Sequence, residues 1–170
     1  ITILHVYLVT ARLRLLPPAH FPTYHQHLVD HFFHDAEDRM IANHRISARM
    51  LRSRYLKDLF VQYRGAVAAY DEALARASDP VLAAALWRNL WAARPDVDLR
   101  HLAVVVSYFR RVMKGLEGMG DEGLVGGSLR FGDPAAERAV VDVRSRLLDE
   151  PFGEDDFKPG QEEREGEAGR

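Results

Sequence analysis

The densest group of side chains that could do chemistry lies in the segment of residues 25–38. Its histidines recur at steps of four and three residues, so a helix places them on one stripe: His27, His31 and His34. Two imidazoles four residues apart on a helix can reach a shared zinc or other divalent ion. A third ligand from the same stripe does not converge on that ion, and the stripe faces away from the apolar side. We interpret it as a solvated polar face and predict no metal or other cofactor, with a metal-binding helical-bundle enzyme as the alternative.

Other catalytic patterns are missing or stand in the wrong context. The chain has no cysteine, which excludes thiol catalysis, thiolate metal sites and disulfides. A di-iron bundle needs Glu-x-x-His on two helices, whereas this sequence has a single Asp-x-x-His, from Asp98 to His101. The glycines between Gly118 and Gly127 follow a predicted helix rather than a strand, which argues against a nucleotide-binding loop. We predict that the protein is not an enzyme and assign no catalytic residue.

A second cluster of candidate residues is basic. Within residues 45–64, six basic side chains stand against one acidic side chain. Helical spacing predicts that Arg45, Arg49 and Arg52 share a face. Together with Lys57 they could contact the phosphates of RNA or the anionic surface of a membrane. An ordinary solvated face, matched by acids of the preceding helix, is the bland interpretation of this cluster. A helical RNA-binding module that uses Arg45 to Lys57 remains an alternative function.

The elements that position these residues are predicted to be helices. Apolar residues recur with a helical period over residues 23–42, 47–77 and 99–116, and the first of these faces is expected to be core. Residues 1–16 have the pattern of another amphipathic helix, too short and too charged to span a bilayer. No convincing alternating strand appears in the sequence. We therefore predict an all-α fold, a single-domain bundle of five or six helices.

A further helix is predicted to start at Ser78. Ser78 or Asp79 can cap free amides, and Pro80 suits a first helical turn. Large apolar residues cover more than one face of this helix, so it is expected to lie between other helices or against a partner. Trp87 and Trp91 are accordingly either core residues or exposed anchors for a partner.

The C-terminal part of the sequence differs from the rest in composition. A weak terminal helix is predicted within residues 132–150, starting at Pro134. Residues 151–170 carry seven acidic and three basic side chains with few apolar ones, a composition that predicts a disordered acidic tail. Over the whole chain 23 basic and 25 acidic residues give a net charge of −2, which does not indicate a nucleic-acid binder.

Four short strings, in order and at the right spacing, resemble the ubiquinol–cytochrome c chaperone family over about residues 1–131. They are Leu28 to Arg39, Gly65 to Glu72, Leu82 to Asn89 and Arg100 to Leu102, with Lys57 between the first two. Ala73 stands where the family pattern has Gly after Tyr-Asp-Glu, and the histidine stripe is not part of that pattern.

The resemblance implies a helical, non-enzymatic assembly factor for respiratory complex III on the matrix side of the mitochondrial inner membrane. Family members hold newly made cytochrome b, work with a small helical partner subunit and sit near the exit of the mitochondrial ribosome. A peripheral contact with the inner membrane is compatible with this role. The chain begins without Met in mid-pattern, so we expect a preceding segment that would carry any targeting signal.

The resemblance transfers no catalytic residue, and the matched positions become candidates for partner contacts. The candidates for partner binding are Asp35, Arg39, Tyr70, Asp71, Glu72, Trp87, Arg88 and Trp91. Asp35 and Arg39 are also expected to form an ion pair within one helix. The candidates for ribosome or membrane contact are Arg45, Arg49, Arg52 and Lys57.

Overall fold

The computed structural model describes residues 1–144, and every regular element in that range is helical. Seven α-helices are present in these residues, together with a 3₁₀ turn at Pro134–Glu137: α1 (Thr2–Leu13), α2 (Phe21–Ala42), α3 (Arg49–Ala75), α4 (Asp79–Trp91), α5 (Leu99–Glu117), α6 (Asp121–Val125) and α7 (Arg138–Val141). The predicted all-α class is confirmed. The five long helices match the predicted ones, and the short α6 lies among glycines where no helix was predicted.

The core forms around α1. This helix lies against α2, α3 and α5, while α4 packs between α3 and α5. Tyr7 of α1 is fully buried, with its ring centroid 5.1 Å from that of Tyr70 and 6.1 Å from that of Phe109. Large aromatic rings in such contact contribute strongly to core stability. The bundle is therefore closed by helices that are far apart in the sequence.

The apolar face of α2 is less enclosed than predicted. No residue of α2 is buried, so the expectation that this face is core is wrong. Its central rings, Phe32 and Phe33, are half-buried and pack against Phe60 and Tyr63 of α3. The ring contacts that Phe32 and Phe33 make outside α2 are with α3, and a helix face needs cover on more than one side to become fully buried. The later part of α2 and residues 49–62 of α3, none of which is buried, thus form an arm at the edge of the bundle, the α2–α3 arm.

The predicted start of α4 is confirmed. The Ser78 hydroxyl accepts a hydrogen bond from the backbone N–H of Val81, and Pro80 lies in the first turn. At the start of α5, the Asp98 carboxylate accepts from the backbone N–H of Arg100 over 2.8 Å. Both caps satisfy amides that have no partner within their helix.

The C-terminal region is described only as far as residue 144. The predicted helix from Pro134 is represented there by the 3₁₀ turn and α7. Glu137 anchors this segment on α5 by accepting hydrogen bonds from Ser107 and Arg111. The rest of that predicted helix and the predicted acidic tail lie outside the described residues. None of the helices between residues 1 and 144 combines the length and the apolar composition of a membrane span.

Candidate functional site

Asp71 is a structural link between two helices. Its carboxylate accepts hydrogen bonds from the Tyr7 hydroxyl at 2.8 Å and from the guanidinium of Arg14 at 2.6 and 3.1 Å. Burial opposes ionisation of Asp71, but the hydrogen bonds from Arg14 and Tyr7 outweigh it and lower the pKa of the carboxyl. This candidate for partner binding therefore holds α3 against α1.

The two neighbours of Asp71 in the sequence lie in different surroundings. Tyr70 is buried in the core, where burial raises the pKa of its hydroxyl to about 12. A partner cannot reach Tyr70 unless the bundle opens. Glu72 is exposed and pairs with Arg76 one turn along α3. The sequence string Tyr-Asp-Glu thus contains a core residue, an interhelix link and a surface ion pair.

The tryptophans of α4 lie at the edge of the core. Trp87 and Trp91 are both half-buried and pack against core residues. The indole N–H of Trp87 donates to the backbone carbonyl of Arg94 over 2.7 Å, which fixes the loop after α4. One face of Trp87 lines a cavity of about 240 Å³ beside the exposed Leu99. Each tryptophan therefore combines a packing role with a surface that a partner can touch.

Arg88 lies on the flank of α4 that faces α3 and the start of α1, whereas Trp87 lines a cavity with residues of α5. Arg88 is exposed and has no ion-pair partner among residues 1–144. It lines a depression of about 450 Å³ formed with Gln62 and Gly65 of α3 and the start of α1. An exposed, unpaired arginine in a depression is the kind of residue that anchors protein interfaces.

The predicted ion pair on α2 is confirmed. Arg39 Nε lies 2.9 Å from Asp35 Oδ2, one helical turn away, and both side chains are exposed. An exposed pair of this kind contributes only about 0.3–0.5 kcal/mol. Its position on the outer side of the arm leaves it accessible to a partner.

The basic residues of the arm separate into two groups. Arg52 faces α2, where its Nε donates to Glu37 over 3.0 Å and its Nη1 donates to the carbonyls of Ile46 and Ser47. Arg45 precedes α3, in the loop, with a left-handed backbone φ of 54°. The prediction that Arg45, Arg49 and Arg52 share one helical face is therefore wrong.

A different set of cations forms the exposed basic surface of α3. Arg49, Arg54 and Lys57 line one depression around Met50, whose side chain is 87% exposed. None of the three has an ion-pair partner in the described part of the chain. We call these three cations and Met50 the basic surface of α3. It presents unpaired positive charge next to an exposed thioether.

The histidine stripe is a polar surface in the structure. The three side chains His27, His31 and His34 are exposed on α2. In residues 1–144, no group of three or more histidine or carboxylate side chains is placed to hold a metal ion. The metal-binding alternative therefore has no geometric support within the described range.

Sequence reasoning missed Arg12, a buried charge. The side chain of Arg12 is 6% exposed, and it donates to the Leu116 and Met119 carbonyls and to Asp121. The spacing in α1 could have predicted this burial. Arg12 follows Leu4 and Leu8 at steps of four residues, so it lies on the same face of the helix as these two buried residues.

Comparison with known proteins assigns the chain to a family. The sequence model described as Ubiquinol-cytochrome C chaperone matches residues 1–131. The chain belongs to this family. The match spans α1 to α6, and so contains the α2–α3 arm and both tryptophans of α4. The resemblance noted in the sequence is confirmed.

Two relatives of this chaperone-family chain are informative. The yeast protein named "Protein CBP3, mitochondrial", from Saccharomyces cerevisiae, is 36% identical over 137 residues, which are 81% of this chain and 41% of that protein. The chain thus spans about two-fifths of that relative's length. The crystal structure of the Cbp3 homolog from Brucella abortus matches with a TM-score of 0.59 and 28% identity, over 78% of this chain and 71% of the other.

Proposed function

We propose that this chain is the chaperone domain of a non-enzymatic assembly factor for respiratory complex III. The family match over residues 1–131 is the observation that carries the proposal. The client is newly synthesised cytochrome b, and a small helical subunit is the working partner. The relative from Saccharomyces cerevisiae is named as mitochondrial, which supports a mitochondrial location. The matrix side of the inner membrane, near the mitochondrial ribosome, is the proposed place of action.

The surface proposed for the helical partner is the exposed part of α4. Arg88 supplies an unpaired cation there, and Trp87 and Trp91 supply partly exposed aromatic area. Interfaces between proteins are enriched in these two residue types, and a few such residues dominate the binding energy. Charge and aromatic area on one helix thus support a protein–protein contact.

Replacing Arg88 tests this surface without disturbing the core. The Arg88→Ala variant of the full chain should retain the free energy of unfolding of the parent, because the side chain is exposed and unpaired. Its affinity for the partner should fall about thirtyfold, which corresponds to about 2 kcal/mol. Co-purification of tagged variants from mitochondria, with the bound proteins identified, gives the readout.

Arg138→Ala is the matched control, since Arg138 is also exposed but lies on α7, outside the residues matched by the family. It should leave partner recovery unchanged. Equal recovery of the partner with Arg88→Ala and with the parent would remove α4 as the partner surface. Failure of the parent chain to recover either cytochrome b or a small partner would overturn the chaperone assignment itself.

The basic surface of α3 is proposed to contact the mitochondrial ribosome. Its three cations have no acidic partner, so their field extends into solvent, and rRNA phosphates are the matching charge. Arg45 in the adjoining loop can add to this contact, whereas Arg52 is engaged with Glu37. The proposed ribosome contact therefore includes Arg54 and excludes Arg52.

Charge reversal separates a ribosome contact from a membrane contact. The triple change of Arg49, Arg54 and Lys57 to Glu should abolish salt-dependent co-sedimentation with ribosomes, while partner recovery remains intact. Loss of flotation with anionic vesicles but not of ribosome binding would assign the surface to the membrane instead. Unchanged behaviour in both assays across ionic strengths would eliminate the proposed role of this surface.

A further inference from the structure

An open apolar groove runs along the surface between the start of α4 and α5. It has a volume of about 580 Å³, and most of the side chains that line it are apolar: Pro80, Ala83, Leu99, Leu102, Ala103 and Val106. Leu99 is 77% exposed, so part of this surface has no cover among the described residues. Ala83 and Ala103 are small, which leaves room for another segment to approach both helices. A continuous apolar surface of this kind is typical of a docking site.

The C-terminal part of the described chain borders this groove. Ser107 lines the groove and also donates a hydrogen bond to Glu137, in the 3₁₀ turn. The next element, α7, packs on α5 as well. Val140 and Val143, near the end of the described residues, are 63% and 72% exposed. The chain therefore leaves the described region next to the groove, with apolar side chains that are largely uncovered.

The residues that follow carry the apolar side chains that the groove requires. Leu147 and Leu148 are the only leucine, isoleucine, valine or methionine residues in residues 145–170. They come within the first four of those residues, close to the exit of the chain. The rest of that sequence is too polar to cover the groove.

Charge also favours this short segment. Arg100 is exposed at the start of α5, next to Leu99 in the sequence, and has no ion-pair partner among residues 1–144. Asp149 and Glu150 directly follow the two leucines. An acidic pair beside the apolar residues thus complements an unpaired cation beside the apolar groove.

The segment is long enough to reach the whole groove. Residues 99–110 of α5 line the groove over about 16 Å, at the α-helical rise per residue. The chain from Val141, the last residue of α7, to Leu147 can extend up to about 20 Å. Tethering beside the groove also gives this segment an advantage over a free partner, because its binding is intramolecular.

We propose that residues 145–150 dock in the groove between α4 and α5. Leu147 and Leu148 contact its apolar walls, and the two acids that follow lie near Arg100. Removal of apolar surface from water on both sides drives the contact. A docked segment closes the groove to other proteins, and its release opens an apolar docking surface. The inference does not depend on the proposed chaperone function.

A single introduced thiol can report whether the groove is covered, because the chain has no cysteine. Ala103→Cys places the thiol in the groove, and Ala68→Cys places it on the exposed side of α3 as a control. In the full chain, changing both Leu147 and Leu148 to Asp should accelerate maleimide labelling at position 103 about tenfold or more, because the segment no longer covers it. Labelling at position 68 should not change. Ala168→Asp adds a charge outside the segment and should alter neither rate.

Disulfide formation identifies the occupant of the groove. Mild oxidation of the full chain with Ala103→Cys and Leu148→Cys should give an intrachain disulfide, whereas Ala68→Cys with Leu148→Cys should not. Disulfide-linked dimers in place of the intrachain bond would assign the groove to a second copy of the chain. That result would overturn the proposal, and so would equal labelling at position 103 with and without the two Asp changes.

Discussion

Arg12 links α1 to the end of α5 and the start of α6 through charged hydrogen bonds. Replacing it with Met keeps most of the side-chain volume but leaves the Leu116 and Met119 carbonyls without their donor. Hydrogen bonds from a charged donor contribute about 1.5–3 kcal/mol each. We therefore expect Arg12→Met to lower the free energy of unfolding by about 3 kcal/mol, measured by urea denaturation.

Arg39→Met provides the comparison for that change. Arg39 forms only an exposed ion pair with Asp35, so its loss should cost about 0.5 kcal/mol or less. Similar losses for the two variants would show that burial of Arg12 carries no special stabilisation.

The buried tyrosines make stability sensitive to alkaline pH. Burial raises the pKa of Tyr70 to about 12, and burial together with the hydrogen bond to Asp71 raises the pKa of Tyr7. A pKa above the ordinary value of 10.0 means that the folded state favours the protonated, neutral hydroxyl. This stabilisation is complete below pH 10 and declines as the pH rises from 10 toward 12.

Thermal unfolding across that pH range should show the decline, and Tyr70→Phe should make it shallower because one titrating group is removed. Tyr55→Phe serves as the control, since Tyr55 is exposed and should not alter the slope. A decline that is as steep in Tyr70→Phe as in the parent would exclude Tyr70 as its source.

At the scale of helices, Arg52 holds the loop between α2 and α3. Arg52→Ala removes its hydrogen bonds to Glu37, Ile46 and Ser47 and should destabilise the arm by about 1–2 kcal/mol. Arg54→Ala, two residues along but exposed, should change stability by less than about 0.5 kcal/mol. Denaturant midpoints of the two variants give the comparison, and equal midpoints would contradict the role of Arg52.

The sequence predicted where the long helices lie more successfully than what covers them. Periodicity identifies an apolar face on α2, but it does not say whether one neighbour or several will pack on it. Arg52 could have been recognised, because it shares a face with Leu56, Leu59 and Tyr63 at helical steps. The interhelix hydrogen bonds of Asp71 could not have been predicted from the sequence, because no local pattern connects residues 7 and 71.

At the scale of the molecule, stability should be uneven. The α2 helix has no buried residue, whereas α1 and α5 supply much of the core. Local opening is easiest where few apolar contacts are lost. We expect amides of α2 to exchange with deuterium by a local opening, with a lower free energy than global unfolding, and those of the middle of α1 and α5 only on global unfolding.

Hydrogen exchange across a denaturant series distinguishes the two behaviours. Exchange of α2 should be almost independent of low denaturant concentrations, while that of α5 should accelerate with the slope of global unfolding. A single common slope for both helices would mean that the arm and the core unfold as one unit.

The pairing of α1 with α5 also has a consequence for synthesis. His5 hydrogen-bonds to Tyr108 and Arg12 to Leu116, across separations of 103 and 104 residues. At translation rates of about 5–20 residues per second, roughly 5–20 s pass between the synthesis of α1 and that of the α5 residues that pack on it. A nascent chain stopped before α5 would leave exposed the apolar side chains of α1 that α5 covers, so this member of a chaperone family is itself open to aggregation while it is being made.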